Sequence, residues 1–191
     1  GYLRSKGVEI HLDARIESVD AQGVELKGGV RLDGGVVIWT GGVRGNRLVE
    51  EAGFEVNQQG RAAVNECLHP GGYPDIFIGG DCALVPDASG HPCPPTAQLA
   101  VQQGEYIAAS IRKTLNNQPV PAYKADMRGI ILSLGRRYAL GVVAGRHISG
   151  KPAGMLKDLI AYRYLHTIGG FRLAARKFVE WAPYAAAMRR S

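Results

Sequence analysis

Apolar positions along this chain fall into short runs whose period changes several times. Tyr2-Leu3-Arg4-Ser5-Lys6-Gly7 predicts the last turn of a helix, with Gly7 just past its C-cap. Val8-Glu9-Ile10-His11-Leu12 alternates as a strand with one buried face. Residues 14–19, 23–29 and 30–32 predict a meander joined by glycine turns. Val36-Val37-Ile38-Trp39 is apolar without alternation, the pattern of a strand covered on both sides, and it exits through Thr40-Gly41-Gly42. Asn46 is placed to cap a short helix over Leu48, Val49 and Ala52, ended by Gly53. A short strand at 60–65 and a Pro-Gly loop then lead to a second apolar run, Ile76-Phe77-Ile78, which ends in Gly79-Gly80-Asp81.

Beyond a polar loop, Pro94-Pro95 stops earlier structure and Thr96 can cap a helix running to about Leu115. Its expected core stripe is Ala97, Ala100, Val101, Gly104, Ala108, Ile111 and Leu115. Residues 116–123 read as a linker. Two strands, 128–135 and 138–144, form an expected antiparallel hairpin around Gly135-Arg136-Arg137, and 148–153 reads as a turn. In the last segment Leu156, Leu159, Ile160, Tyr164, Leu165 and Ile168 make one helical stripe, broken at Gly169-Gly170. A second stripe follows with Phe171, Ala174, Ala175, Phe178 and Trp181 beside Arg172, Arg176 and Lys177.

Charge sharpens this division. Residues 1–123 carry 10 Lys+Arg against 14 Asp+Glu, a net of −4, and residues 124–191 carry 13 against 3, a net of +10. The basic third therefore expects an anionic partner. Basic residues interleaved with an apolar face bearing Phe and Trp suit a helix lying in a membrane interface. Packing on the domain or on a second subunit is the alternative for the first of these helices. No nucleic-acid-binding motif occurs, and no run of about 18 apolar residues could span a bilayer. Three cysteines without CxxC spacing, Cys67, Cys82 and Cys93, indicate neither a disulfide framework nor a zinc site.

The stretch from residue 76 to 102 carries the candidate chemistry. An apolar strand ending in Gly-Gly-Asp delivers a carboxylate to its carboxyl end, and the glycines admit a ligand close to the backbone. A helix N-terminus after Thr96 offers free N–H groups and a positive dipole end to the same ligand. Gln98 and Gln102 lie four apart and share one face, where two amides could meet a carbonyl group. By spacing alone the plainer account, exposed helix-favouring glutamines, fits them better.

With these pieces in order, the chain resembles the carboxyl-terminal half of a type II NADH:quinone oxidoreductase, a flavoprotein with two dinucleotide-binding domains. Val36-Val37-Ile38-Trp39-Thr40-Gly41-Gly42-Val43 resembles the strand closing that family's NADH domain. Gly60-Arg61 with residues 76–83 resembles its second flavin-binding motif, and Ala97-Gln98-Leu99-Ala100-Val101-Gln102 matches its AQxAxQ quinone-site motif. Leu132-Ser133-Leu134-Gly135-Arg136 and the Tyr164-Leu165-His166…Gly170-Phe171-Arg172 stretch resemble its membrane-binding end.

The resemblance implies an α/β fold turning α+β at the C-terminus: partial Rossmann-like domains, then a hairpin and amphipathic helices. It divides the chain into the end of an NADH-binding domain (1–44), the second half of an FAD-binding domain (45–118) and a membrane-binding module (119–191). It implies FAD held at Gly80, Asp81, Cys82, Ala83, Thr96, Ala97 and Gln98, and NADH approaching Trp39, Thr40, Gly41 and Gly42. Quinone would be lined by Gln98 and Gln102. Hydride would pass from NADH to FAD and two electrons on to a membrane quinone, at the cytoplasmic face of the membrane. Residues 155–191 would meet the anionic surface, and exposed sheet edges would allow a homodimer.

The family's two GxGxxG pyrophosphate loops do not occur here, so the chain is expected to be a fragment that binds FAD weakly or not at all and turns over no NADH alone. Gly154-Met155 stands where the family would have a bulky aromatic. Two other readings remain open: a sulfide:quinone oxidoreductase-like flavoprotein using Cys82 or Cys93, and a non-enzymatic basic membrane-binding module.

Overall fold

The computed structural model describes residues 1–135 and 138–187, with side chains through Arg176. The Arg136-Arg137 turn, and the side chains of Lys177, Phe178 and Trp181, lie outside the described residues. The chain divides into two compact units, one of residues 9–127 and one of 1–8 with 128–191.

The larger unit opens with the expected meander. Strands β1 (Ile16–Asp20), β2 (Gly23–Leu26) and β3 (Val30–Asp33) pair antiparallel in that order. Arg31 clamps Asp20 through Nη1 and Nη2 at 2.9 and 2.7 Å, tying β3 to β1 across the middle strand. The alternating run at 8–12 forms no strand. Nor does Val36-Val37-Ile38-Trp39: Val36 is 82% exposed and Ile38 80% exposed, with no regular partner. A non-alternating strand needs a neighbour on each edge and a layer on each face, and no described segment supplies them.

The core of this unit gathers Ala62, Leu68, Ile78, Ala83 and Val85, with Val49, Phe54, Phe77, Tyr106 and Ile107 packed around it. Helix α2 (Leu48–Glu51) starts where Asn46 Oδ1 accepts the Leu48 N–H at 2.9 Å and ends before Gly53 at φ +88°. The predicted strand over 76–78 is replaced by an irregular segment anchored by Ile78 N–H to the Leu68 carbonyl at 3.0 Å. A 3₁₀ turn (Gly80–Cys82) follows. Only then does a parallel pair form, β4 (Ala62–Ala63) with β5 (Ala83–Leu84).

Helix α3 (Ala97–Leu115) keeps the predicted bounds, and Thr96 Oγ1 accepts the Leu99 N–H at 3.4 Å. Its buried face differs from the expected stripe. Leu99, Gln103 and Ser110 are buried, with Tyr106 and Ile107 half-buried beside them, whereas Ala97, Gly104, Ala108, Ile111 and Leu115 are exposed. Two polar residues take core positions because their groups find partners there, which apolar counting does not register.

The smaller unit begins with α1 (Tyr2–Ser5), closed by Gly7 at φ +77° as predicted, with Tyr2 stacked on Tyr138 at 4.1 Å. The predicted hairpin is a three-stranded antiparallel sheet: β6 (Gly129–Ser133), β7 (Ala139–Val143) and β8 (Arg146–Gly150). Ala144 and Gly145 make the two-residue turn between β7 and β8, at φ +47° and +74°. Helix α4 (Lys151–Ala187) starts directly after β8, so the predicted turn at 148–153 is strand and helix start instead; Pro152 suits a first helical turn. The helix is interrupted at Gly170, as expected from the glycine pair. Ala153 is its one buried residue among those described, while Met155, Leu159, Ile160, Tyr164, Ile168 and Phe171 are exposed. Among the described residues no helix is long and apolar enough to cross a membrane.

Candidate functional site

Of the predicted site residues, Gly80, Asp81, Cys82 and Ala83 form a turn that lies against α3. Gly79 is extended and Gly80 takes φ +64°, a conformation that disfavours any residue with a Cβ. That reversal lays the turn on α3: the Gly80 N–H donates to Gln103 Oε1 at 2.6 Å, and Ile107 lies against Gly79. Ala100, one turn into α3, is the nearest group to the open side of Gly80. The Asp81 turn and the N-terminal half of α3 are therefore neighbours, and the acid arrives on a 3₁₀ turn and not at the strand end that the sequence predicts. Asp81 is half-buried, and among the described residues no hydrogen bond or ion pair engages its carboxylate.

A second segment approaches from the other side. The Gly45 N–H donates to the Gln59 carbonyl at 2.8 Å, and a Cβ on Gly45 would collide with the Gly60 carbonyl. The Asn46 N–H reaches Cys82 Sγ at 3.3 Å. Chain 44–46 thus runs beside the Asp81 turn, with glycine required at its closest point. Thr40, Gly41 and Gly42, just upstream, are exposed and irregular, and the Trp39 indole, 66% exposed, folds back over Gly41.

Arg61 anchors the far end of the turn. It is 4% exposed, and its Nε and Nη2 donate to the Ala83 carbonyl at 3.1 and 2.7 Å. Cys93 is buried nearby. Burial pushes its thiol up from the ordinary value, Asp87 adds to this, and Arg61 opposes it. A thiol raised in this way is a poor nucleophile at neutral pH, contrary to what thiol chemistry at Cys93 needs.

The two glutamines of the AQxAxQ run have different surroundings. Gln98 is half-buried in the first turn of α3 and makes an interaction of its own. Gln102 turns its amide onto the backbone of Asp126, donating to the carbonyl at 2.9 Å and accepting the N–H at 3.2 Å. Its polar atoms brace the 123–127 segment. Gln103 and Arg61 were not among the predicted site residues. Arg61 leaves a trace only in the Gly60-Arg61 motif, and Gln103, between Gln102 and Gly104, leaves none.

The residues present fit an extended anionic dinucleotide. They offer an acid that has no donor among the described residues, an open positive-φ glycine and a capped nineteen-residue helix whose Ala100, Gln103 and Ile107 lie against the turn. A sequence-family match to pyridine nucleotide-disulphide oxidoreductase covers residues 1–104. Over 180 residues the chain is 39% identical to a type II NADH:quinone oxidoreductase of Staphylococcus saprophyticus, covering 92% of this chain and 44% of that protein. The Staphylococcus aureus (strain NCTC 8325) protein of that name is 38% identical over the same extent. The chain thus spans under half the length of these curated relatives. Among solved structures, NDH2 of Plasmodium falciparum in complex with NADH superposes with a TM-score of 0.71 at 14% identity, over 95% of this chain and 53% of that one. The sulfide:quinone oxidoreductase of Aquifex aeolicus gives 0.64 at 19% identity, over 86% and 42%. These two likenesses speak to fold. Matched over more than half its length, the chain belongs to the pyridine nucleotide-disulphide oxidoreductase family.

Proposed function

We propose that this chain supplies the flavin-side and quinone-side walls of a type II NADH:quinone oxidoreductase. The observation that carries the proposal is the Gly80–Cys82 turn pinned against α3, which sets the Asp81 turn beside the N-terminal half of a capped helix. The names of relatives at 38–39% identity support it. FAD, when bound, would take a hydride from NADH and pass two electrons to quinone.

In this reading Asp81 accepts hydrogen bonds from cofactor hydroxyls, while backbone at Gly80, Cys82 and Ala83 lies along the cofactor. The N–H groups of Ala97 and Gln98, beyond the Thr96 cap, favour negative charge next to them. Trp39, Thr40, Gly41 and Gly42 line the NADH approach. Gln98 contributes an amide to the quinone wall, and Gln102 acts there by holding the 123–127 backbone. Residues 1–44 close the NADH-binding domain, 45–118 build the FAD side, and 119–191 lie on an anionic membrane surface at the cytoplasmic face. The exposed apolar residues of α4 and the net charge of +10 over 124–191 support that last assignment; the apolar residues would also suit a homodimer contact, which the shared positive charge opposes. The raised thiol of Cys93 speaks against a sulfide-oxidising chemistry at that residue.

The test is an absorbance spectrum and a quinone-reduction assay on the natural protein carrying this sequence. Stoichiometric FAD and NADH-dependent quinone reduction, abolished or reduced at least tenfold in Asp81→Ala, are expected. The 191-residue chain alone should bind FAD weakly and oxidise no NADH. A natural protein without flavin, or one reducing quinone from sulfide and not NADH, refutes the reading.

A further inference from the structure

We propose that Gln103 is a positioning residue for the dinucleotide site: its side-chain oxygen holds Gly80 in the backbone conformation that presents Asp81. This deepens the proposed function and rests on its placement of FAD at the Asp81 turn.

Gln103 is 3% exposed in the middle of α3, on a face where leucine would be the ordinary choice. Burying a carboxamide is unfavourable unless its atoms find partners. Here the oxygen accepts the Gly80 N–H at 2.6 Å. Gly80 needs that acceptor. Gly80 lies before β5 and outside the β4–β5 ladder, so without Gln103 a partly buried donor would lose this acceptor. The remaining contacts leave little freedom. A Cβ on Gly79 would stand 3.0 Å from Ile107 Cδ1 and 3.7 Å from Gln103 Cβ, so this backbone sits directly on the helix. On the other side, the Ala83 N–H closes the 3₁₀ turn onto the Gly80 carbonyl, and Arg61 grips the Ala83 carbonyl. Asp81 is therefore carried on a three-residue turn fixed at both ends, by Gln103 before it and Arg61 after it. In this reading Gln103 acts on the ligand through the Gly80 backbone.

The experiment uses the natural protein carrying this sequence, stripped of flavin and titrated with FAD. Gln103→Leu keeps the volume and removes the acceptor; Gln103→Glu keeps an oxygen at the same reach. FAD Kd is expected to rise at least tenfold in Gln103→Leu, about 1.4 kcal/mol, and to stay within about threefold in Gln103→Glu, with KM for NADH unchanged in both. Without FAD, the Gly80 amide should exchange with solvent at least tenfold faster in Gln103→Leu than in the parent protein. A folded Gln103→Leu with unaltered FAD Kd, whatever its melting temperature, overturns the proposal. If that variant does not fold, the parent protein decides: a Gly80 amide that exchanges at the unprotected rate overturns it, and a protected one together with Gln103→Glu near parent affinity supports it. Asp81→Ala separates the two levels. Unchanged FAD affinity there, with Gly80 still protected, refutes the flavin reading of the turn and the positioning role with it.

Discussion

Replacing Arg61 by methionine keeps most of the buried stem and removes a guanidinium that donates twice to the Ala83 carbonyl, at 3.1 and 2.7 Å. A hydrogen bond from a charged donor contributes about 1.5–3 kcal/mol net. Both bonds here fall on one oxygen, so their effect is closer to that of one strong bond than of two. Against the loss stands the relief of no longer burying a charge that is 4% exposed. The balance predicts a loss of about 2 kcal/mol from the larger unit, read as a lower urea midpoint by far-UV circular dichroism with an unchanged slope. A second signature has a fixed sign. Burial and Asp87 raise the Cys93 thiol while Arg61 lowers it, so removing Arg61 must move the Cys93 titration further upward. Carbon-13 NMR of labelled cysteine reads that midpoint directly. A urea midpoint equal to the parent's, or a Cys93 midpoint that moves down, refutes the account of this anchor.

Two more expectations concern the sheets. Ala144 sits at φ +47° in the two-residue turn before Gly145, a site where asparagine is favoured and an ordinary L residue is strained by about 1–2 kcal/mol; Ala144→Asn should raise the melting temperature of the 128–150 sheet, and a lower one refutes the turn assignment. Asp20 is held down from 3.8 to about 2, chiefly by the hydrogen bond from Arg31 and then by the Gln22 N–H. Its folded value lies below the unfolded one, so its contribution is complete above about pH 4 and is lost as pH falls through 2. Arg31→Gln should move the Asp20 midpoint back towards 3.8 in an NMR titration, and an unmoved midpoint sinks the clamp.

Local signals were the legible ones. The Thr96 cap, the Gly7 and Gly53 stops, the meander and the break at Gly170 depend on one to four neighbouring residues, and each formed where the pattern pointed. What failed depends on neighbours far along the chain. Residues 36–39 and 76–78 carry a buried-strand pattern, but a parallel strand exists only through its partners. The phase of α3 was misread because Gln103 and Ser110 go inside while Ala97 and Ala108 stay out. Strand β8 was missed because Arg146-His147-Ile148-Ser149-Gly150 holds one apolar residue, and its pairing comes from the preceding tight turn. At the site, Gly80, Asp81 and the α3 start were readable as motif. The division of labour between Gln102 and Gln103 was not: adjacent residues on a helix point about 100° apart, and only the fold says which one faces inward.

Gly170 has a mechanical consequence. Its φ of +64° and ψ of −169° fall in a region open to glycine almost alone. An unbroken helix of 37 residues would be a rod of about 55 Å at 1.5 Å rise per residue, longer than a bilayer is thick. Instead the chain holds two rods of roughly half that length, joined at a pivot that needs no loop. Each rod can set its own roll angle, so the apolar stripes on either side need not share a single heptad phase to meet one flat surface.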